Sequence, residues 1–391
     1  MTQDFSSKIR IGIDATNIRI GGGITHLLEF LSAIDDQQMQ VDQIIVWSND
    51  RTLQALPERK WLIKVCPPAL NEGLLRRIGW QLFSLSKAVS QAQCDVLLVP
   101  GGSYLGSFHP VVTMSQNLFP FEWHAIRANG FSLRSLKFIL LRWVQSYSFR
   151  HSDGVIFLTQ YARAAVLKVT GALRASSVVI AHGLNPRFDF APKQQLPIGQ
   201  YSFDHPYRLI YVSIIDVHKN QLEVILAVEQ LRRKGYPVAL TLIGPSHPKA
   251  LARMQAGIQN LGERADPINR WLEYLGPIPY QSLNLEYQKA DLGIFASGCE
   301  TFGMIVLEKM SVGLPIACSN QSAMNEVLGD GGVYFDPKSP SSIADAIETY
   351  LLDPQLREQK IQCAHQLAVQ YSWARCASET VEFLRQVAHS H

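Results

Sequence analysis

Short continuous apolar runs alternate along the chain with stretches of helical period. In the first half, residues 8–14, 43–47, 95–100, 110–114, 154–158 and 178–181 are expected as strands. They run apolar without alternation, the pattern of strands covered on both faces. Helical patterns fill the gaps, for example at 24–34 and 132–148. The second half repeats the scheme, with strands expected at 207–212, 239–243, 271–275, 292–295 and 315–318. Repeated β–α alternation implies parallel sheets with helices on both sides. Between the halves, 188–206 is rich in proline and polar residues and has no period, so it reads as a linker. The expected fold class is α/β: two doubly wound, Rossmann-like domains facing across a cleft, with ligands outside the carboxyl ends of the strands.

Composition narrows the class. With 47% hydrophobic and 18% charged residues among 391, the chain is globular. It has no run of about 20 apolar residues that could span a bilayer. The start, MTQDFSSKIRIGID, lacks the basic and apolar regions of a signal peptide. A cytoplasmic location is therefore expected, at most peripheral on the inner face of the plasma membrane. Cys66, Cys94, Cys299, Cys318, Cys363 and Cys376 are scattered without a CxxC pair, as expected of thiols in a reducing compartment.

Charge is uneven. Residues 1–195 hold 20 Lys and Arg against 13 Asp and Glu, and the remainder hold 16 against 20. A basic first half suits an anionic acceptor, an anionic membrane surface, or simple solubility. The stretch 133–150 sets Arg134, Lys137, Arg142 and Arg150 beside a broad apolar face with Trp143. It fits a peripheral membrane helix or a core helix with a basic outer side. Arg76-Arg77, next to Ile78 and Trp80, would extend the same patch. No nucleic-acid partner is expected.

The stretch 295–319, FASGCETFGMIVLEKMSVGLPIACS, carries the most chemistry. A buried strand ends near Ala296, a small polar loop follows, and a helix begins about 301–303 with Thr301 as its expected N-cap. It ends at Gly313, before Pro315. The free N–H groups and dipole of such a helix start suit a diphosphate, and Gly303 lets backbone approach it. Glu308 falls roughly 8–9 Å along the axis from the helix start. Glu300 and Glu308 thus flank a diphosphate-sized gap, one placed for a ribose and the other for a sugar ring. The spacing alone fits equally a solvated helix with two surface glutamates.

Glu300-Thr-Phe-Gly-Met-Ile-Val-Leu-Glu308, with Ser297 before it and Lys-Met-Ser-Val-Gly-Leu-Pro after it, resembles the donor-site signature of family 4 glycosyltransferases, which adopt the GT-B fold. Leu275-Gly276 with Ile278-Pro279, then Ser322 to Leu328, Gly331-Gly332 and Phe335-Asp336-Pro337, resemble its flanks in order. Tyr371-Ser372-Trp373 resembles the family's late helix, which crosses back to the first domain. The resemblance implies domains at 1–190 (acceptor side) and 207–370 (donor side), with a returning helix at 371–391. It also implies retention of configuration. Glu308 would bind ribose hydroxyls, Thr301, Phe302 and Gly303 the phosphate and sugar, and Glu300 the sugar hydroxyls. Lys219 matches the family lysine that neutralises the diphosphate. Ile214 stands where the family has an arginine, removing a bidentate phosphate ligand. A Lys-Asn variant of the pattern, His218, or an arginine of the first domain would then carry the charge. Reduced activity is the further alternative.

In the first half, Gly21-Gly22-Gly23 follows strand one and permits close backbone approach. It is not the GxGxxG of nicotinamide sites. By resemblance, Gly22 and Gly23 lie near the donor diphosphate. Ser115, Gln116 and Asn117 follow a strand and are expected to contact acceptor or donor. His124 nearby is more often structural, and His182-Gly183-Leu184 resembles the family's Asn-Gly-Val turn. The chain contains no Asp-x-Asp and no carboxylate or histidine cluster at ligand spacing, so neither metal nor cofactor is expected.

The expected function is transfer of a sugar from a nucleotide-sugar, GDP- or UDP-linked, to a lipid-linked or polysaccharide acceptor of a bacterial surface glycan. The alternatives are a nucleotide-sugar epimerase, another GT-B enzyme such as a phosphorylase, or a catalytically reduced sugar-nucleotide-binding protein.

Overall fold

A computed structural model describes residues 8–19, 21–127, 130, 132–261 and 271–391. The first seven residues of the N-terminal stretch lie outside the described residues. The chain divides into two compact units: Met1–Gly183 with Tyr371–His391, and Leu184–Gln370.

The first unit is built on seven strands: β1 (Ile9–Asp14), β2 (Val41–Trp47), β3 (Leu62–Val65), β4 (Val96–Val99), β5 (Val111–Ser115), β6 (Gly154–Phe157) and β7 (Ser176–Val179). Their order is β3-β2-β1-β4-β5-β6-β7, and every pairing is parallel. Every residue of β4, β5 and β6 is buried, which explains their unbroken apolar sequences. The final helix, Trp373–His389, also belongs to this unit. Gly154 lets it approach the sheet: a Cβ there would meet Val387 Cγ2 at 2.9 Å and Phe383 Cε1 at 3.0 Å. Arg385 then donates to the Met39 carbonyl at 2.6 Å and to Gln40 Oε1 at 2.8 Å.

The second unit has six strands: β8 (Tyr207–Val212), β9 (Val238–Ile243), β10 (Leu272–Tyr274), β11 (Leu292–Phe295), β12 (Ile316–Ser319) and β13 (Gly332–Phe335). Their order is β10-β9-β8-β11-β12-β13, again all parallel. Both sheets reverse direction of growth after their third strand, at β1/β4 and at β8/β11.

Two strands were not anticipated. β3 is a four-residue edge strand that includes Lys64, and β13 is a four-residue strand that opens on Gly332. β7 begins two residues before the expected run, and the first helix is Gly22–Ser32, so the glycines form its first turn. The segment expected as a linker is instead packed onto the second unit. Phe188 is fully buried with Ile210, Val212, Leu283 and Tyr287, worth about 2 kcal/mol for such a side chain. Further along, buried Arg357 donates to the Leu196 carbonyl at 3.0 Å. All six cysteines are free.

Candidate active site

In the second unit β8 and β11 are the neighbours from which the chain winds outward in opposite directions, the place where open α/β sheets take ligands at the strands' carboxyl ends. The loops leaving those two strands are bonded to each other. After β8, Asp216 accepts from Val217 N at 2.7 Å and starts the single turn Val217–Lys219. Asn220 follows in the left-handed region at φ 51°, which frees its side chain to donate to the Ala296 carbonyl at 2.7 Å, just past β11. Gly298 N returns a bond to the His218 carbonyl at 2.8 Å. The Tyr211 hydroxyl donates to the Lys219 carbonyl at 2.6 Å. Lys219 is thus fixed through its backbone, not only through its side chain.

That side chain forms an ion pair with Glu300 Oε1, and its ammonium lies 5.4 Å from the centre of the Phe295 ring. Both partners are largely withdrawn from water. Burial pushes the Glu300 carboxyl up, but the Lys219 charge, hydrogen bonds from Lys219 and Ser297, and the nearby His218 hold it below its usual value. His218 is pushed down by burial, partly offset by Asp216, whose Oδ2 is 3.6 Å from its Nδ1. Ile214 itself offers backbone: its carbonyl accepts from Gln221 Nε2 at 2.8 Å.

The helix after β11 is Met304–Ser311, and its N-cap is Gly303, not Thr301. Gly303 takes φ 90°, ψ 54°, a left-handed cap that a β-carbon disfavours, and a Cβ there would meet Met324 Cε at 2.6 Å. Thr301 and Phe302 are buried in the preceding loop. The helix start still presents open N–H groups and the positive end of its dipole.

Glu308 is on this helix and buried. Its Oε1 accepts from the Tyr280 hydroxyl at 2.9 Å and its Oε2 from Tyr287 at 3.0 Å. Burial raises its pKa to about 7, against the lowering pull of both tyrosines, Lys309 and Arg187. The Arg187 guanidinium covers the Tyr280 ring at 4.7 Å. A carboxylate offers about four acceptor positions, so two tyrosines leave capacity for ligand hydroxyls. Tyr280 and Tyr287 were missed by the sequence reading, since they come from a separate turn and helix. Lys309 was missed too. It is fully buried, donates to the Ile294 carbonyl at 2.8 Å, and burial lowers its pKa to about 7. A lysine inside the apolar run MIVLEKMSVGL was the available signal.

The candidates in the first unit form their own group at the carboxyl ends of β1 and β5. Gly23 lies against Gln116, whose Oε1 is 3.6 Å from where its Cβ would be, and Gly22 opens the first helix beside it. The Gln116 amide donates to Met114 Sδ at 3.0 Å. Ser115 Oγ is buried without a hydrogen-bond partner among the described residues. Asn117 has a local task, accepting from Phe119 N at 3.1 Å to start a turn. His124 Nε2 is 2.9 Å from Glu122 Oε2. His182 is buried against His26, Nδ1 to Nδ1 at 3.0 Å, with Trp373 beside both rings. Among the described residues, one histidine–carboxylate group has ligand-like spacing: His109, Asp153 and His391, in the first unit and apart from every candidate above.

Residues 197–366 match the family described as glycosyl transferases group 1. O-antigen chain mannosyltransferase B of Escherichia coli is 36% identical over 195 residues, 49% of this chain and 49% of the relative. A glycogen synthase of Mycobacterium tuberculosis is 25% identical over 243 residues, 61% of this chain and 55% of its own length. The chain spans about half the length of these curated relatives. In structure, sucrose-phosphate synthase of Thermosynechococcus elongatus superposes with a TM-score of 0.74 at 15% identity, covering 98% of this chain and 100% of that one. HepE of Anabaena, solved in complex with UDP and glucose, gives 0.70 at 17% identity, covering 96% and 99%. Two Rossmann-like units with parallel sheets and this whole-length likeness give the GT-B fold.

Proposed function

We propose that the protein is a GT-B glycosyltransferase that takes a nucleotide-sugar donor at the carboxyl ends of β8 and β11. The observation that carries this reading is the joining of the two loops there. It brings the Lys219 ammonium onto Glu300, in the loop that leads into the helix bearing Glu308. The match of residues 197–366 to the group 1 transferases supports it.

In this reading the donor's diphosphate lies at the helix start and competes with Glu300 for Lys219. The ribose hydroxyls donate to Glu308 in the capacity left by Tyr280 and Tyr287. As the bond between the anomeric carbon and the diphosphate oxygen breaks, negative charge builds on the leaving nucleoside diphosphate. Lys219 and the helix N–H groups stabilise that charge, an effect that acts mainly in the transition state. Released from Lys219, Glu300 is free to accept from sugar hydroxyls. The acceptor hydroxyl oxygen forms the new bond to carbon, and its proton passes to the departing phosphate. Retention at the anomeric carbon is part of the proposal, on the resemblance of Glu300 to Glu308 to family 4. A UDP- or GDP-linked donor and a lipid-linked or polysaccharide acceptor complete the proposal. The relatives' names, an O-antigen mannosyltransferase and a protein solved with UDP and glucose, support that choice. In the first unit, Gly22, Gly23, Ser115 and Gln116 are proposed as ligand contacts.

The test is turnover of a panel of UDP- and GDP-sugars, read as release of free sugar and as transfer to glycan primers. Lys219→Ala is expected to lower kcat and Glu308→Ala to raise KM. Equal rates in wild type and both variants would overturn the assignment. A nucleotide that binds but never turns over would favour the catalytically reduced alternative that Ile214 raises.

A further inference from the structure

The first unit carries an apolar surface that the donor reading does not use. On the helix Leu133–His151, Leu133, Leu136, Leu140, Trp143 and Tyr147 recur at spacings of three and four, forming one stripe. All five are exposed, Leu133 at 87% and Trp143 at 72%. The residues this helix buries include Ser135, Gln145, Ser146 and Ser148. Apart from Phe149, which is fully buried, the side chains this helix buries are polar, while the apolar stripe faces outward.

A second helix repeats the pattern. Leu74–Phe83 buries Gln81 and exposes Leu74, Leu75, Ile78 and Phe83, with Leu75 at 85% and Phe83 at 84%. Both helices border one loop. Gln81 Nε2 donates to the Ser103 carbonyl at 2.9 Å, and Gln145 Nε2 to the Gly101 carbonyl at 3.3 Å. Leu105 of that loop is exposed as well. An exposed apolar face of this extent marks a contact surface.

Charge selects the partner. Residues 72–153 contain eight Lys and Arg and four acidic residues, Glu72, Asp95, Glu122 and Asp153. All four acids are engaged: Glu72 with Arg76 at 3.4 Å, Asp95 with Arg10 N at 2.7 Å, Glu122 with the Tyr161 hydroxyl at 2.7 Å and Asp153 with His109 at 2.6 Å. A two-fold contact between copies would set the basic face of Arg134 and Lys137 against its own like-charged copy. An anionic bilayer surface complements them. Its acyl boundary accepts leucine and tryptophan, while the basic heads reach the phosphates. Among the described residues no helix is long and apolar enough to cross a membrane.

We infer that the face formed by the helices Leu74–Phe83 and Leu133–His151 docks peripherally on an anionic lipid surface. This stands apart from the donor assignment, and its test needs no nucleotide. The full chain is floated with phosphatidylcholine vesicles, with and without phosphatidylglycerol. Wild type is expected to rise with the anionic vesicles, less with the neutral ones, and less at high salt. The pair Leu140→Ser, Trp143→Ser and the pair Arg134→Gln, Lys137→Gln are each expected to lower partitioning to anionic vesicles by about tenfold. Circular dichroism and melting confirm that these surface variants fold. Failure of wild type to bind anionic vesicles overturns the inference, as does binding that both pairs leave unchanged. A dimer in sedimentation that the Leu140→Ser, Trp143→Ser pair dissociates, with no vesicle binding, would assign the face to a second copy instead.

Discussion

Lys219 and Glu300, 81 residues apart in sequence, form an ion pair above the Phe295 ring at the ends of two adjacent parallel strands. Neither charge is well solvated, so each is the other's main compensation. In the proposed donor site, an incoming diphosphate would replace Glu300 at Lys219 and so break this pair.

Removing one partner strands the other. Lys219→Met is expected to destabilise the protein by about 1–3 kcal/mol, because it leaves a poorly solvated carboxylate alone. The double change Lys219→Met, Glu300→Gln should recover part of that loss in urea unfolding. The sign with pH follows from the lowered Glu300 carboxyl. Its stabilisation is present above the unfolded value of 4.5 and lost as pH falls through the lower folded value. The gap between wild type and Lys219→Met should therefore close in acid.

Glu308 works in the opposite sense. In the unfolded chain it loses its proton near 4.5, in the folded chain at about 7. Stability should fall as pH rises across that window, by at most about 3 kcal/mol, and Glu308→Gln should flatten the dependence. Ligand hydroxyls donate to the ionised form, so nucleotide-sugar affinity should rise with pH through about 7 in wild type and stay flat in Glu308→Gln. Titrations across this range check both statements.

Much of this was legible in the sequence, for a definite reason. The runs at 207–212 and 292–295 are apolar, save for the exposed Arg208 near the start of the first, because both faces of β8 and β11 are covered, and the structure places both strands at those residues. Glu300 and Glu308 were legible as a spaced pair around a helix start. The cap was not, because a left-handed Gly303 serves backbone geometry and outranks Thr301, the side chain a propensity rule selects. Tyr280 and Tyr287 could not be tied to Glu308, since their meeting depends on how a distant turn and helix pack. The packing of Phe188 was hidden by its polar, proline-rich neighbours.

Lys309 is a buried amine that donates to the Ile294 carbonyl at 2.8 Å. Burial lowers its pKa to about 7 from 10.5, so the folded state is penalised progressively as pH falls through that interval and fully below about 7. Lys309→Met keeps the volume and removes the charge. It is expected to raise stability by about 1–3 kcal/mol at pH 7, with the gain shrinking toward pH 10, as calorimetry at the two values would show.

Gly303→Ala tests the helix cap. The nearest atom, Met324 Cε, ends a flexible side chain and can move, so the cost is chiefly the left-handed backbone, about 1–2 kcal/mol. The same change crowds the helix start. Nucleotide affinity should therefore fall by more than the affinity for anything bound elsewhere, with melting and binding read on one preparation.

The most direct test of the donor site is equilibrium binding of UDP and GDP by titration calorimetry, in the presence of a chelator, to wild type and to Lys219→Met. One of the two nucleotides should bind wild type, and Lys219→Met should weaken it at least about tenfold, the share expected of a desolvated phosphate contact. Absence of binding by either nucleotide, or equal affinity in the variant, would contradict a diphosphate site at Lys219.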